Sequence, residues 1–155
     1  MLLIPTWKLR MFAAVKIPLL AMCRPRVMEM NDQRCVMEIP LTRVTKNHWN
    51  SMYFGAIAVG ADAAAGLAAL YWMKKSGVKI SFLFKASSGE FLKRIEGTAR
   101  FTCEAPQVLE QLVRKVVDTG ERHHAEVPVV VTCPKKSGDE PVARFTMTVS
   151  LKKSN

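Results

Sequence analysis

One stretch in the middle of the chain, Trp49 to Met73, is almost entirely apolar, and Asp62 is its one charged residue. A helix that is apolar on every side is buried in a core and does not lie on a surface. The stretch therefore predicts a long central helix from about Ser51 to Met73. Asn50 or Ser51 is the expected N-cap, because both residue types accept hydrogen bonds from the first turn.

Strands are predicted on both sides of this helix. Gln33 to Thr42 has the mixed pattern of a short strand. After the helix, apolar residues occupy every second position from Val78 to Phe84, which is typical of a half-buried strand. The Ser87-Ser88-Gly89 sequence predicts a turn into a second strand, from about Phe91 to Cys103.

The last part of the chain predicts a shorter helix and a long hairpin. Pro106 suits the first turn of a helix, and Gly120 is a typical helix end. Residues 126–133 and 142–151 then alternate as strands and are joined by the KKSGDE segment.

The N-terminus, MLLIPTWKLRMFAAVKIPLLAM, has roughly helical spacing of its apolar residues. It differs from a secretory signal, because the first charge comes only at Lys8 and Pro18 interrupts the apolar run. We interpret residues 1–30 as a helical extension of a single domain, 1–155. The order of elements predicts an α+β fold in which a curved antiparallel sheet wraps around the long central helix.

Composition narrows the classes of function. The net charge of +10 implies attraction to polyanions, but the basic residues are scattered, and solubility is the simpler explanation. No aromatic and basic stripe accompanies them, so we do not expect nucleic-acid binding. The four cysteines are far apart and form no metal or disulfide pattern, which favours reduced thiols in a cytoplasmic protein without a metal site.

A membrane span is the alternative for the central stretch, which exceeds the ~20 residues that cross a bilayer. Most of its residues are Ala and Gly, and Asp62 would cost roughly 2.5 to 3.5 kcal/mol at the centre of a membrane helix. We therefore expect a buried helix and no membrane span.

Asp62 is the candidate catalytic residue, because burying a carboxylate among apolar side chains costs several kcal/mol unless it is paired or protonated. Its pKa should be raised, which makes it a stronger base when it is ionised. The alternative is structural: Asp62 accepts hydrogen bonds from Asn47, Asn50 or backbone groups across a subunit interface and fixes packing.

The segment NHWNSMYFGAIAVGADAAAG, residues 47–66, carries a family resemblance. It is similar to the hotdog-fold thioesterases of the PaaI-like acyl-CoA group, and in particular to their DUF4442-type relatives. In that family an Asn precedes an HGG turn by six residues, and an acidic residue follows the histidine by nine. Asn47, Tyr53 and Asp62 have these intervals, while Tyr53 and Phe54 replace the histidine and first glycine and Gly55 keeps the second.

The resemblance implies an acyl-CoA thioesterase that works as a homodimer or a dimer of dimers, with its site between two chains. It assigns the roles of general base or nucleophile to Asp62, of oxyanion-binding helix amide to Gly55, and of positioning water or substrate to Asn47. No cofactor is implied, since acyl-CoA is the substrate.

The residues themselves add substrate-binding candidates. Tyr53 either donates a hydrogen bond to a carbonyl in place of the missing histidine or closes the pocket with Phe54. Phe82, Phe84 and Phe91 either line an acyl tunnel or pack in the core. The candidates for the coenzyme A phosphates are Lys85, Lys93, Arg94 and Arg100. If the site is closed, the chain is a module of the same fold that binds an acyl group without cleaving it.

Overall fold

Helices and strands follow one another in the predicted order, with an additional strand near the beginning, a break in the N-terminal helix and a short helix at the KKSGDE segment. The computed structural model describes residues 5–154. The helices are α1 (Thr6–Lys16), α2 (Pro18–Met22), α3 (Phe54–Ser76), α4 (Pro106–Thr119) and α5 (Pro134–Ser137). The strands are β1 (Arg26–Met30), β2 (Cys35–Ile39), β3 (Ile80–Phe91), β4 (Ala99–Cys103), β5 (His123–Thr132) and β6 (Pro141–Lys153). The ends of the predicted domain, residues 1–4 and 155, lie outside the described residues.

The six strands form one antiparallel sheet in the order β1-β2-β4-β5-β6-β3. Helix α3 lies against β2, β4, β5 and β6, and α4 packs beside it. This is the predicted α+β arrangement, the hotdog fold. Strand β3 forms an edge of the sheet, so within a single chain one side of its 12 residues has no neighbouring strand.

Small residues allow α3 to lie close to the sheet. Gly60, Ala61, Ala64, Ala65 and Ala69 are buried along its length. By length and composition alone the helix could cross a membrane, but 56% of its apolar 18-residue window is buried inside the fold, as expected for a core helix.

Both ends of α3 differ in detail from the prediction. The helix begins at Phe54, and its N-cap is Tyr53, which makes no capping hydrogen bond, so the predicted caps Asn50 and Ser51 are wrong. It ends after Ser76 at Gly77, whose φ of 69° is the left-handed conformation that favours glycine.

The N-terminal extension is partly a strand. Thr6–Lys16 and Pro18–Met22 form the two helices, but β1 (Arg26–Met30) joins the sheet beside β2. The pattern of β1 was missed because a register shift between Val27 and Glu29 breaks the alternation of buried and exposed positions.

The predicted turn at Ser87-Ser88-Gly89 is wrong, because β3 continues through it to Phe91, paired with β6. Gly89 serves packing there: a Cβ on it would come within 2.6 Å of the Phe145 ring. The predicted second strand is correspondingly shorter, and only Ala99–Cys103 forms β4. The shorter helix and the terminal hairpin are confirmed, and Phe145, Met147, Val149 and Leu151 are buried as their alternation predicts.

Candidate active site

Asp62 lies near the middle of α3, but it is not sealed in the core. Its side chain is exposed in the single chain, because the helix face that carries it is covered neither by the sheet nor by α4. The expectation of a dry, buried carboxylate is therefore wrong for one chain. The protein atoms around Asp62 still desolvate it, and this burial raises the pKa of its carboxyl group above the ordinary value.

Two clefts meet at Asp62. One is an apolar cleft of about 270 Å³ between the N-terminal helices, α3 and β3, and it includes Phe82 and Phe84. The other is a more open cleft of about 400 Å³ that includes Phe84, Lys85 and Ser87. A carboxylate at this junction borders an apolar cleft on one side and, on the other, an open cleft that also contains Lys85 and Ser87, which suits a ligand with an apolar chain and a polar group.

The hydrogen bonds of the structural alternative are not formed within the chain. The Asn47 side-chain oxygen accepts hydrogen bonds from the N–H groups of Trp49 and Ser51, at 2.9 and 3.2 Å. The side-chain oxygen of Asn50 accepts one from Lys46 Nζ at 3.1 Å. Among the residues that the structure describes, the carboxylate of Asp62 makes neither a hydrogen bond nor an ion pair.

Asn47 lines a third cleft, of about 420 Å³, at the N-terminal end of α3. Phe54, Phe91 and Arg94 line the same cleft, whereas Asp62 does not. One chain therefore brings Asn47, Phe54 and Arg94 together, and it brings Asp62, Phe82 and Phe84 together in a different place.

Gly55 is in the first turn of α3, where N–H groups have no partner within the helix. The first bonds of this turn run from the N–H groups of Ala56 and Ile57 to the carbonyl of Tyr53, at 3.0 and 3.2 Å. The Gly55 amide precedes them and is oriented with the positive end of the helix dipole.

The side chain of Tyr53 restricts access to Gly55 on one side. The ring of Tyr53 lies where a side chain on Gly55 would be, 2.7 Å from the position of an ideal Cβ. A ligand therefore cannot approach the glycine from that side while Tyr53 keeps this position.

Gly55 and Asp62 share a helix face but are well separated. Seven residues at about 1.5 Å per residue place them about 10 Å apart along the axis. A thioester carbonyl is much smaller than this distance. The amide and the carboxylate of one α3 therefore cannot both contact the same carbonyl group.

The basic residues that are candidates for binding the coenzyme A phosphates differ in whether they already form an ion pair with an acidic side chain. Arg100 Nη2 lies 2.8 Å from Glu38 Oε1, and Lys93 Nζ lies 2.8 Å from Glu140 Oε1. Arg94 forms no ion pair among residues 5–154 and lies 6.0 Å from the Trp49 ring centroid. Arg94 is thus the most available of these three cations for a phosphate group.

The described residues form no metal site, and His123 and His124 contact different partners. The described residues contain no group of three His, Cys, Asp or Glu side chains that could hold a metal ion. His123 contacts Thr119 Oγ1 and His124 contacts Lys85 Nζ, so the two adjacent histidines have different surroundings, as their strand position predicts.

A long helix packed against a six-stranded antiparallel sheet defines the class of hotdog-fold proteins. Within that class the chain belongs to the DUF4442 family, a domain of unknown function whose model matches residues 6–151. The resemblance read from residues 47–66 is confirmed at this level. No curated protein matches the chain.

Three solved structures illustrate the likeness. A candidate thioesterase from Shewanella oneidensis has a TM-score of 0.79 at 13% identity, with 94% of this chain and 95% of that one covered. A protein of unknown function from Pseudomonas aeruginosa, described as a candidate thioesterase, has a TM-score of 0.80 at 19% identity, with 97% of both chains covered. A variant of a Pseudomonas aeruginosa thioesterase has a TM-score of 0.75 at 11% identity, with coverage of 99% and 97%. At these identities the likeness establishes the fold.

Proposed function

We propose that the protein hydrolyses acyl thioesters, with acyl-CoA as the substrate and Asp62 as the general base. The observation that carries the proposal is the position of Asp62, whose carboxylate lies where an apolar cleft meets an open cleft that contains Lys85 and Ser87. An acyl chain suits the first cleft, and the thioester and the start of the pantetheine arm suit the second.

The reaction requires one water molecule and no cofactor. Ionised Asp62 takes a proton from water while the water oxygen attacks the thioester carbonyl, and the carbonyl electron pair moves onto its oxygen. When this intermediate collapses, the C–S bond breaks, and the sulfur leaves with the proton that Asp62 received. The products are a carboxylic acid and a thiol. A carboxylate that acts directly as nucleophile would give the same products through an anhydride.

The negative charge on the carbonyl oxygen needs a hydrogen-bond donor, and the Gly55 amide at the start of α3 is suited to it. The distance of about 10 Å along the helix means that this amide must come from a second copy of the chain. A homodimer, or a dimer of such dimers, with antiparallel α3 helices would place each Asp62 near the other copy's Gly55 and Asn47. The unpaired edge of β3 is suited to joining two copies into a continuous sheet.

Recognition of coenzyme A follows from the same arrangement. Arg94 lines the cleft that contains Asn47, and it is our candidate contact for a substrate phosphate at the far end of the pantetheine arm. Tyr53 stands in place of the family's histidine. After moving away from Gly55, its hydroxyl would donate a hydrogen bond to the substrate.

The test is thiol release from straight-chain acyl-CoAs, measured for the wild type, Asp62→Asn and Asn47→Ala. We expect Asp62→Asn to lose about 10²- to 10⁴-fold in kcat, the usual contribution of a general base. Asp118→Asn, a change at an exposed acid on α4, is the matched control and should retain the wild-type rate. Wild-type turnover that survives in Asp62→Asn would contradict the assignment of the base.

A second candidate function is an acyl-CoA binding module that does not cleave its ligand. The position of the Tyr53 ring beside Gly55 favours it, because the ring covers one side of this glycine at the start of α3. Saturable binding of acyl-CoA without release of thiol from any member of the panel would establish this function instead.

A further inference from the structure

The N-terminal helices form one wall of the apolar cleft beside Asp62. Leu9 and Phe12 of α1, together with Ile17 and Leu20, face Gly66 and Leu70 of α3. Phe82 and Phe84 of β3 close the cleft on another side. Among the described residues that line it, Asp62 has the one polar side chain.

We infer that this cleft binds an unbranched acyl chain of medium length and that α1 and α2 determine the length. The volume is about 270 Å³. A methylene group is close in size to a water molecule, whose share of liquid volume is about 30 Å³, so about nine chain carbons fill the cleft. The carbonyl end then lies at Asp62, in line with the proposed function, on which this orientation rests.

Several hydrogen bonds fix the wall in place, so the cleft has a defined size. Thr6 Oγ1 at the start of α1 accepts a hydrogen bond from the Val27 N–H at 3.0 Å. Arg10 Nε donates one to the Pro25 carbonyl at 3.0 Å. These bonds hold α1 to β1 and to the segment before it, so a longer chain cannot be accommodated simply by moving α1 outward.

Two substitutions change the volume in opposite directions. Gly66→Leu adds four carbons in the cleft, and the glycine position is open enough to begin a side chain, because an ideal Cβ lies 3.9 Å from the nearest Phe82 atom. Phe12→Ala removes a ring from the wall. Met11→Ala is the matched control, because Met11 is the neighbouring exposed residue of α1 and does not line the cleft.

The experiment measures binding without catalysis, by calorimetry with S-alkyl-CoA thioethers, which have no carbonyl to hydrolyse. 1-Alkanols of the same lengths separate the contribution of the chain from that of coenzyme A. For the wild type we expect affinity to rise about fourfold per methylene and to level off near nine or ten carbons.

Each variant has a distinct expected result. Gly66→Leu should level off three or four carbons earlier, and the milder Gly66→Ala about one carbon earlier. Phe12→Ala should weaken binding of the decyl compounds at least tenfold, while Met11→Ala binds them as the wild type does. Folding of each variant is checked by circular dichroism. If Gly66→Leu does not fold, Phe12→Ala still tests the inference, because Phe12 is exposed and is not part of the core.

The two proposals fail separately. Affinity that does not depend on chain length, or a length limit unchanged in Gly66→Leu together with decyl binding unchanged in Phe12→Ala, would overturn the inference even if thioesters are hydrolysed. Length-limited binding that responds to these variants, with no hydrolysis of any acyl-CoA, would support the inference and overturn the proposed hydrolase.

Discussion

The ring of Phe101 lies directly over Gly60, so that a Cβ on this glycine would come within 2.2 Å of Cζ. Phe101 belongs to β4 and is fully buried, which leaves its ring no room to move. Contact between α3 and the sheet at this point therefore depends on the absence of a side chain.

Gly60→Ala should destabilise the fold by about 1 to 3 kcal/mol, the usual cost of overpacking a core, even though alanine is the better helix former. Thermal or denaturant unfolding measures this. Gly66→Ala in the same helix is the control: its new Cβ makes only ordinary contacts, so it should be neutral or stabilise by up to about 1 kcal/mol. Equal effects at the two positions would contradict the observed packing.

Activity should rise with pH as Asp62 ionises. Burial raises the pKa of Asp62 above its ordinary value, and a general base works only in its ionised form. The plot of kcat/KM against pH should therefore have an acidic limb whose midpoint lies above the usual aspartate value of about 3.9. An acidic limb that persists unchanged in the residual activity of Asp62→Asn would assign that ionisation to another group.

Asp62 should also lower the stability of the folded protein at neutral pH. A raised pKa means that the folded state binds more protons than the unfolded state between the two pKa values, so stability falls as pH rises through that window. Asp62→Asn should unfold at a higher temperature than the wild type at pH 7, and the difference should disappear below pH ~4. Thermal scans from about pH 3 to 8 measure this, and Asp118→Asn should show no such gain.

Mixing two inactive variants tests whether the site is shared between chains. Asp62→Asn and Asn47→Ala are each expected to lose activity as homodimers. Refolding them together at equal amounts should restore about a quarter of the wild-type rate, because half of the dimers are mixed and each of those has one intact site. If both residues act within one chain, every site of the mixed dimers lacks one of them and no activity returns.

The buried thiols of Cys35 and Cys103 should resist modification. The two residues face each other across β2 and β4, and both are buried. Burial raises the pKa of each thiol to about 12, and the other cysteine adds to the shift of Cys35. Since the thiolate is the reactive form, a thiol reagent at pH 8 should label neither residue until the protein unfolds, as mass spectrometry of labelled peptides would show. Fast labelling of either thiol in the folded protein would contradict this burial.

The sequence alone predicted the elements whose patterns extend over many residues. The apolar run around Asp62 indicated a central helix, and regular alternation indicated the terminal hairpin, because each pattern matches the period of its backbone. Short or irregular elements were missed. Strand β1 carries a bulge, and the serines and glycine inside β3 have the composition of a turn although pairing with β6 keeps them extended.

The candidate residues were found in part from the sequence. Asn47, Gly55 and Asp62 were singled out by spacing and by the cost of a charge in apolar surroundings. Their separation into different clefts could not be read from spacing, because it depends on which face of α3 the sheet covers. The sequence also did not predict that the N-terminal helices line the apolar cleft. These helices contact residues more than 40 positions further along the chain, and local patterns do not reveal such contacts.

Local patterns determined which segments of this protein are helix and which are strand, because backbone period and side-chain polarity act over a few residues. Only the tertiary structure decided that Asp62 is open to solvent in one chain and lies between an apolar cleft and an open cleft that contains Lys85 and Ser87. The physical reason is that burial is a property of the whole packed chain. A helix with apolar residues on every side can still leave one face uncovered, and in α3 that face carries the carboxylate.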